Sequence, residues 1–542
     1  SIADDVSQPQ RADECRDWQT GNLQPPGILN HAATHGRFSL QSILEPSFQY
    51  RHYRCRPSPL MTLSSLVYFM NSLNPYISQM DPGLHTFDYV RQKCPFLFTA
   101  MLAAAAKALH PELYPKLHDH VEELFARYFR LGRKSTEIAQ AVLIMTYWKE
   151  PDDSRAWVSL GYVIRMGVDL GWHRLKPYTV DQGGCSSDTQ KREVRNIQRL
   201  WFILFVYDRS MSLQTGKPWM IERDAFIESI EPWCKDPLAI ASDNFLGALV
   251  TLRLLSSEVF TLLGPKPSKV GGNQLHSLES LLSIIELRIE EWQRKWLRSV
   301  VTGELHFCPY LERPACLMTC PLESCHSFLI RFYGTHLRLQ LFSVPLQEIL
   351  TNKEPEITTN LEVFWVSYSN AMEVLQLIRS SATWLYFAQD SIHVMTAYSA
   401  AFLIKLLLST PEYITSRIET QVCDAIRSTA DAFSGQSSPP GSSCWLQARF
   451  LERIVMKHAE RRRKRDLFNP IQHLQVLRRP LIQSSLYALS EQMKPRRSRG
   501  VLHRKLKTAI FIVIGTLMNL DSILLSPLMM GVGLAPLWSL RG

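Results

Sequence analysis

Two groups of side chains in this 542-residue sequence have the donor chemistry to hold a metal ion. His306, Cys308, Cys316, Cys320, Cys325 and His326 gather soft ligands in one stretch. Their spacing, Cys-x7-Cys-x3-Cys-x4-Cys-His, is looser than the short intervals typical of structural zinc sites, so buried free thiols are the favoured reading. His118, Asp119, His120, Glu122 and Glu123 place His118 and Glu122 on one helical face. They lack the His-Glu-x-x-His order of a zinc hydrolase, and a solvated helix face accounts for them. A third set, Arg165, Asp169, His173, Asp208 and Arg209, is predicted to form a buried ion-pair network between two helices, because charges inside a helical core need partners. The alternative use of the set is ligand sensing. Taken alone, His173 reads as a partner of a helix C-terminus. No phosphate loop, dinucleotide fingerprint, Gly-x-Ser-x-Gly or acid-rich metal motif is present, so the expectation is a non-enzyme.

Basic chemistry is concentrated late in the chain. Arg461, Arg462, Arg463, Lys464 and Arg465 form a compact cluster suited to nuclear import or to phosphate contact, against the plainer reading of a solvated helix end. Lys494, Arg496, Arg497 and Arg499 follow. Lys plus Arg total 60 against 50 acids, a net charge of +10, which permits contact with nucleic acid or anionic lipid without demonstrating it. With so much of the excess beyond Met456, the preceding body is closer to neutral.

The elements that must position these residues read as helices. Apolar residues make up 46% of the chain and charged residues 20%, too apolar for wholesale disorder. Residues 1–59 are polar and read as a flexible arm, with neither a basic n-region nor an apolar h-region at the start. A first residue that is Ser1 rather than Met suggests a fragment of a longer product. From 60 to 433 the apolar residues recur at intervals of three and four, which predicts an all-α, multi-helix domain. Ile138, Ala141, Val142, Met145 and Trp148 define one helix, ended by Pro151-Asp152-Asp153-Ser154, whose acids read as capping groups. A second starts near Arg155 and is expected to bury Trp157, Leu160, Gly161, Ile164 and Val168, with Gly171 just past its end. Gly161 and Gly167 inside it predict a close helix-helix approach. A third, from about Lys191, should bury Val194, Ile197, Trp201, Leu204 and Phe205, widening to all-round burial at Phe202, Ile203 and Val206.

Residues 434–507 read as a Ser/Pro linker and basic region, with a domain boundary at about 434–443. Residues 508–542 are an apolar tail. Asp521 interrupts it, so neither half reaches the roughly 20 residues of a spanning helix. A membrane anchor over 508–538, a buried C-terminal helix and an altered reading frame stay open. Eleven scattered cysteines do not resemble a secreted disulfide framework and point to a reducing compartment.

Three separated blocks resemble the fungal-specific transcription factor domain, the middle homology region of fungal binuclear zinc-cluster regulators, including the xylanolytic-activator subgroup. The most specific runs from Arg155, Ala156 and Trp157 through Gly161, Arg165, Asp169, Leu170, Gly171 and His173 to Arg174. The second runs from Arg199, Leu200, Trp201 and Phe202 through Tyr207, Asp208 and Arg209 to the loop Thr215-Gly216-Lys217-Pro218. Upstream lie Leu73-Asn74-Pro75-Tyr76, Asp81-Pro82-Gly83-Leu84-His85-Thr86, Tyr89-Val90-Arg91 and Cys94-Pro95-Phe96. What the resemblance implies is a helical regulatory domain of a nuclear transcription factor acting with RNA polymerase II, with co-regulators or the transcription machinery as partners. It also allows a small-molecule effector and a dimer. DNA contact would come from a zinc cluster missing from this chain or carried by a partner, and zinc is implied there alone. No two cysteines here are separated by two residues, so the six-cysteine cluster has no place in this sequence and no cofactor is expected in it. A membrane-associated helical protein and an unrecognised helical enzyme are the alternatives.

Overall fold

The computed structural model describes residues 59–177, 187–215, 217–263, 274–301, 322–351, 361–436 and 438–478, and every regular element among them is helical. The chain divides into two units, residues 1–64 and Ser65–Gly542, and the second holds the helical body. The expected arm up to residue 58, the apolar tail and His306, Cys308, Cys316, Cys320 and Gly216 lie outside the described residues.

Helix α1 (Pro59–Tyr68) runs through a π turn at Phe69–Leu73 into the short α2 (Asn74–Ile77), and α3 (Phe87–Lys93) follows a loop. Thr86 starts α3 by accepting the Tyr89 amide at 3.3 Å. Helix α4 (Pro95–Leu109) opens on a proline and is apolar on every side, so it is buried almost throughout. It lies between α5 (Tyr114–Arg130) and α6 (Thr136–Tyr147), and α6 packs on α7 (Ala156–Asp169). Ser135 caps α6, its hydroxyl 3.2 Å from the Ile138 amide. The long α8 (Asp188–Thr215) crosses α6 and α7 and meets α11 (Ala241–Leu263), after the one-turn helices α9 (Ala225–Glu228) and α10 (Ile230–Trp233).

From α11 onward neighbours in sequence are neighbours in space. Helix α12 (Gln274–Val301) packs on α11, α13 (Leu322–Thr351) on α12 and α14 (Leu361–Ser380) on α13, and then α15 (Asp390–Ser409), α16 (Glu412–Ser434) and α17 (Ser443–Arg478) close the stack. Helix α13 also touches α2 and α11, which ties the last helices to the first ones. Among the described residues, Ser391–Ser409 is one helix long and apolar enough to cross a membrane, and most of it is buried inside the body.

Several expectations change on contact with the tertiary structure. Val168 is 44% and Val194 is 46% exposed, so neither belongs to the buried face assigned to it. Helix α7 buries Leu160, Gly161 and Ile164 as expected, adds Val163, Met166 and Gly167, and leaves Trp157 half-buried. The glycines do not mark a helix-helix crossing. A Cβ on Gly167 would meet the Trp172 ring at 2.5 Å, and one on Gly161 the Arg165 guanidinium at 3.1 Å. Gly171, at φ 81°, takes the left-handed conformation expected past the end of α7. Helices α16 and α17, which flank the Ser/Pro segment, pack against each other, so the helical body continues beyond the boundary expected at 434–443.

Candidate functional site

The buried charges cluster on α8, but not where apolar periodicity placed them. Arg192, Arg195 and Arg199 repeat at intervals of three and four, which puts them on one face of the helix. Arg195 and Arg199 are buried among α10, α11 and the loop before α3. Asp243, at the start of α11 and fully buried, is their centre. Its Oδ1 accepts Arg199 Nε at 2.8 Å, and its Oδ2 accepts Arg195 Nη2 at 2.8 Å and Arg199 Nη2 at 3.1 Å. Burial works against the charge of Arg199, and Asp243 outweighs it, so its pKa is raised. Arg195 also lies 3.4 Å from Asp236 and 4.0 Å over the Trp233 ring, a stacked cation–π contact. The Trp233 indole donates to Gln198 Oε1 at 2.8 Å.

One turn earlier, Arg192 Nη1 donates to both oxygens of the fully buried Asp81, at 2.8 and 3.1 Å. Burial raises the Asp81 pKa, but Arg199, Arg192 and the Gly83 amide prevail and hold it below the usual range. The guanidinium of Arg192 lies over Gly83, where a Cβ would meet it at 2.8 Å, so a side chain here would displace the ion pair. His85 Nδ1 accepts the Asp81 amide at 3.0 Å, and burial pushes its pKa down to about 4. Gln140 of α6 completes the floor, donating to Asn196 Oδ1 at 3.0 Å.

The predicted network of Arg165, Asp169, His173, Asp208 and Arg209 is split in two. Arg165, Asp169 and His173 are exposed. Arg165 bonds its own helix at Gly161 O, Asp169 pairs with Lys134, and His173 accepts Arg174 Nε at 3.2 Å. His173 does not cap α7, whose last carbonyls are taken by the amides of Leu170 and Gly171. Asp208 and Arg209 are buried and serve the loop that follows α8. Asp208 Oδ2 accepts the Met220 and Ile221 amides at 2.6 and 2.7 Å, and Arg209 Nη2 donates to Ile221 O at 2.9 Å while covering the Trp219 ring at 4.0 Å. Burial raises the pKa of Asp208 and lowers that of Arg209, which fits a loop clamp and not a strong ion pair. Of the other motif residues, Trp201 is buried against Trp172, Trp157 lies under Lys217, Leu170 ends α7, and Pro218 sits in the clamped loop.

Arg155 holds the cleft edge between α5 and α7. It grips Glu122 at 2.7 and 2.9 Å and Asp153 at 2.8 Å, which raises its pKa, while Asp153 also accepts the Arg155 amide, the capping role expected of it. His118 lies 3.9 Å from Glu122 on the same face, but His120 is buried and not solvated. The cleft, lined by Tyr114, His118, Phe125, Met145 and Arg155 among others, has its charges paired within the protein. Of the soft-ligand stretch, Cys325 is buried and in no disulfide, and His326 Nε2 donates to Pro75 O at 3.0 Å and its ring stacks on Phe245 at 4.6 Å. No group of three metal ligands occurs among the described residues. In the basic cluster Arg462 pairs with Glu419 and, at 3.4 Å, with Glu412, while Arg461, Arg463 and Lys464 are exposed midway along α17; the Arg465 side chain lies outside the described set.

Sequence reasoning missed Asp243, Arg195 and Arg199 as a unit. The signal was the polar stripe at intervals of three and four along the first half of α8, hidden because only an apolar stripe was expected to face inward.

Residues 66–245 match the family described as the fungal specific transcription factor domain. Asp81, Arg192, Arg195, Arg199, Asp208 and Asp243 all lie inside that span. Similar curated proteins include protein priB of Lentinula edodes, 30% identical over 63% of this chain and 54% of that protein. The transcriptional activator of proteases prtT of Emericella nidulans is 21% identical over 50% of this chain and 38% of its own length. The acetamidase regulatory protein of Aspergillus oryzae is 28% identical over 30% and 22%. The chain spans about half the length of the first of these and less of the others. No solved structure matches it.

Proposed function

Residues 66–245 are a fungal specific transcription factor domain, and we propose that the chain is the regulatory part of a fungal zinc-cluster transcriptional regulator that acts in the nucleus on genes transcribed by RNA polymerase II. The observation that carries this reading is that the family span coincides with a charge cluster that is buried and internally paired. Such a cluster holds α8, α11 and the loop before α3 in one arrangement and offers no reactive group to a substrate. The same reading takes the chain as non-enzymatic, in keeping with the family's description as a transcription factor domain.

On this reading DNA is read by a six-cysteine zinc module outside this sequence. The residues present do not fit one, since no two cysteines are separated by two residues. The helical body then acts by population shift. A co-regulator or small effector that favours one packing of the helices over another changes how the transcription machinery meets it, by no more than its differential affinity allows. The cluster Arg461–Arg465 serves nuclear import, with Arg461, Arg463 and Lys464 exposed midway along α17.

The test is to fuse the full chain to a heterologous DNA-binding module that lacks an import signal and to measure a reporter in a fungal host. Reporter expression should differ from that of the module alone, and the fusion should collect in the nucleus. Unchanged expression from a fusion that is folded and bound to its site would remove the regulatory reading.

A further inference from the structure

The outward side of α5 and α7 carries an apolar patch between charges of opposite sign. Phe129 is 59% and Val158 is 69% exposed. The Tyr162 ring joins them: it lies 5.2 Å from Phe129 and 5.7 Å from Phe125, and Val158 is one turn before it on the same face of α7. Single exposed apolar residues are ordinary, but a contiguous patch from two helices marks an interaction surface. A small molecule does not suit it. The adjoining cleft, lined by Phe125 and Arg155 over a floor of alanines from α4, offers about 40 Å³, whereas an apolar cavity that takes benzene measures roughly 150 Å³.

Along α5 the acids come first and the bases last. Asp119, Glu122 and Glu123 precede Ala126, and Arg130 and Arg133 follow it. Asp119, Glu123, Ala126 and Arg130 are exposed, and Glu122 and Arg130 each stand four residues from Ala126, on its side of the helix. On α7 the order is reversed, with Arg155 at the start and Asp169 at the end, each seven residues from Tyr162. The two helices run side by side in the same direction, because Arg155 grips Glu122 at one end and Lys134 pairs with Asp169 at the other. Tyr162, set against both Phe125 and Phe129, is level with Ala126. A half-turn about the line through Ala126 and Tyr162 therefore lays the acids of α5 on its bases, Arg155 on Asp169, and the apolar patch on itself. A different protein would have to match this alternation, whereas a second copy does so by symmetry.

We propose that the α5–α7 face docks on the same face of a second copy of this chain, antiparallel about that two-fold axis. Helix α5 has 17 residues and is about 25 Å long, and helices pack about 8–10 Å apart, so the face offers on the order of 500 Å² per copy. The total, about 1,000 Å², is at the lower bound for a biological interface, so the dimer is weak, concentration-dependent and, with charges at both ends, salt-sensitive. This goes beyond the regulatory reading, which names no surface, and does not rest on it.

Sedimentation velocity of the full chain over a wide range of protein concentration is the test, with Arg130→Glu plus Arg133→Glu as one variant and Asp119→Lys plus Glu123→Lys as another. The wild type should pass from monomer to dimer as concentration rises, and added salt should shift that passage to higher concentration. Each variant alone brings like charges together at both ends of α5. Each should therefore stay monomeric where the wild type is dimeric, with unchanged helical circular dichroism. Mixed in equal amounts, the two variants carry opposite charges and should dimerise again, which a misfolded chain would not do. The proposal is overturned by a wild type that stays monomeric throughout, which would leave the face to a different protein. It is overturned equally by a variant that dimerises as the wild type does, or by a mixture that stays monomeric.

Discussion

Asp243 neutralises two arginines from a position where water does not reach, and that sets the direction of its energetics. Replacing it by Asn keeps the shape and removes the charge, leaving Arg199 without its main counterion. The expected cost of Asp243→Asn is on the order of 3 kcal/mol, the usual penalty for stranding a buried charge. Urea denaturation of the variant checks this, and replacing Asp243 and Arg199 together by Met should recover much of the loss. A single variant as stable as the wild type would show that the cluster is solvated in solution. None of this was legible in the residue types alone. An aspartate next to Ser242 reads equally well as a helix start, and only the arrival of α8 makes it a counterion.

Elements were read more reliably than faces. Asp153 acts locally, through a hydrogen bond to the Arg155 amide two residues away, and sequence spacing shows such a contact directly. The face of α8 went wrong at Val194 because its inward side there is the polar one that carries Arg195 and Arg199, and on α7 Val168 lies outside the buried set. Gly167 illustrates the same limit. Its place in the helix suggested a close approach, but the neighbour is Trp172 from the turn that follows, not another helix. Alanine at this position gains about 1 kcal/mol of helix propensity and forces the indole aside, an overpacking cost of about 1–3 kcal/mol. Gly167→Ala should therefore lower the melting temperature, measured by circular dichroism. A rise would mean that Trp172 has room to move.

Across the whole molecule, three fully buried histidines tie distant segments together. His85 sits in the loop before α3, His326 bonds α13 to the Pro75 carbonyl of α2, and His336 faces Arg253. Burial is the first cause of each shift, and it lowers their pKa values to about 4, 4 and 3 from the ordinary 6.5. Between pH 6.5 and about 4 the unfolded chain binds more protons than the folded one, so stability falls as the pH drops through that window. Asp208, with a raised pKa, contributes in the opposite sense over its own range, but one carboxyl does not offset three imidazoles. The stability at pH 5 should lie below that at pH 7, with a slope on the order of 1 kcal/mol per pH unit for each histidine. His326→Phe, which keeps the stack on Phe245, should flatten the profile. A pH-independent urea midpoint between 7 and 5 would contradict the burial of these rings.

What the sequence determined by itself was local and periodic: helices throughout the middle of the chain, the left-handed Gly171 past the end of α7, the all-round burial of 200–206, and the motif blocks that resemble the fungal transcription factor domain. Caps and periodicities act over a few residues, so they are written in neighbouring letters. The pairing of charges was decided only by the tertiary structure. Arg192 and Asp81 are separated in sequence by five helices, α3 to α7, and Arg199 and Asp243 by the rest of α8, a loop and two short helices, and Arg253 comes to influence His336 only when α13 packs on α11. A charge is equally plausible at a surface or in a core until its partner arrives, and the arrival depends on how whole helices pack.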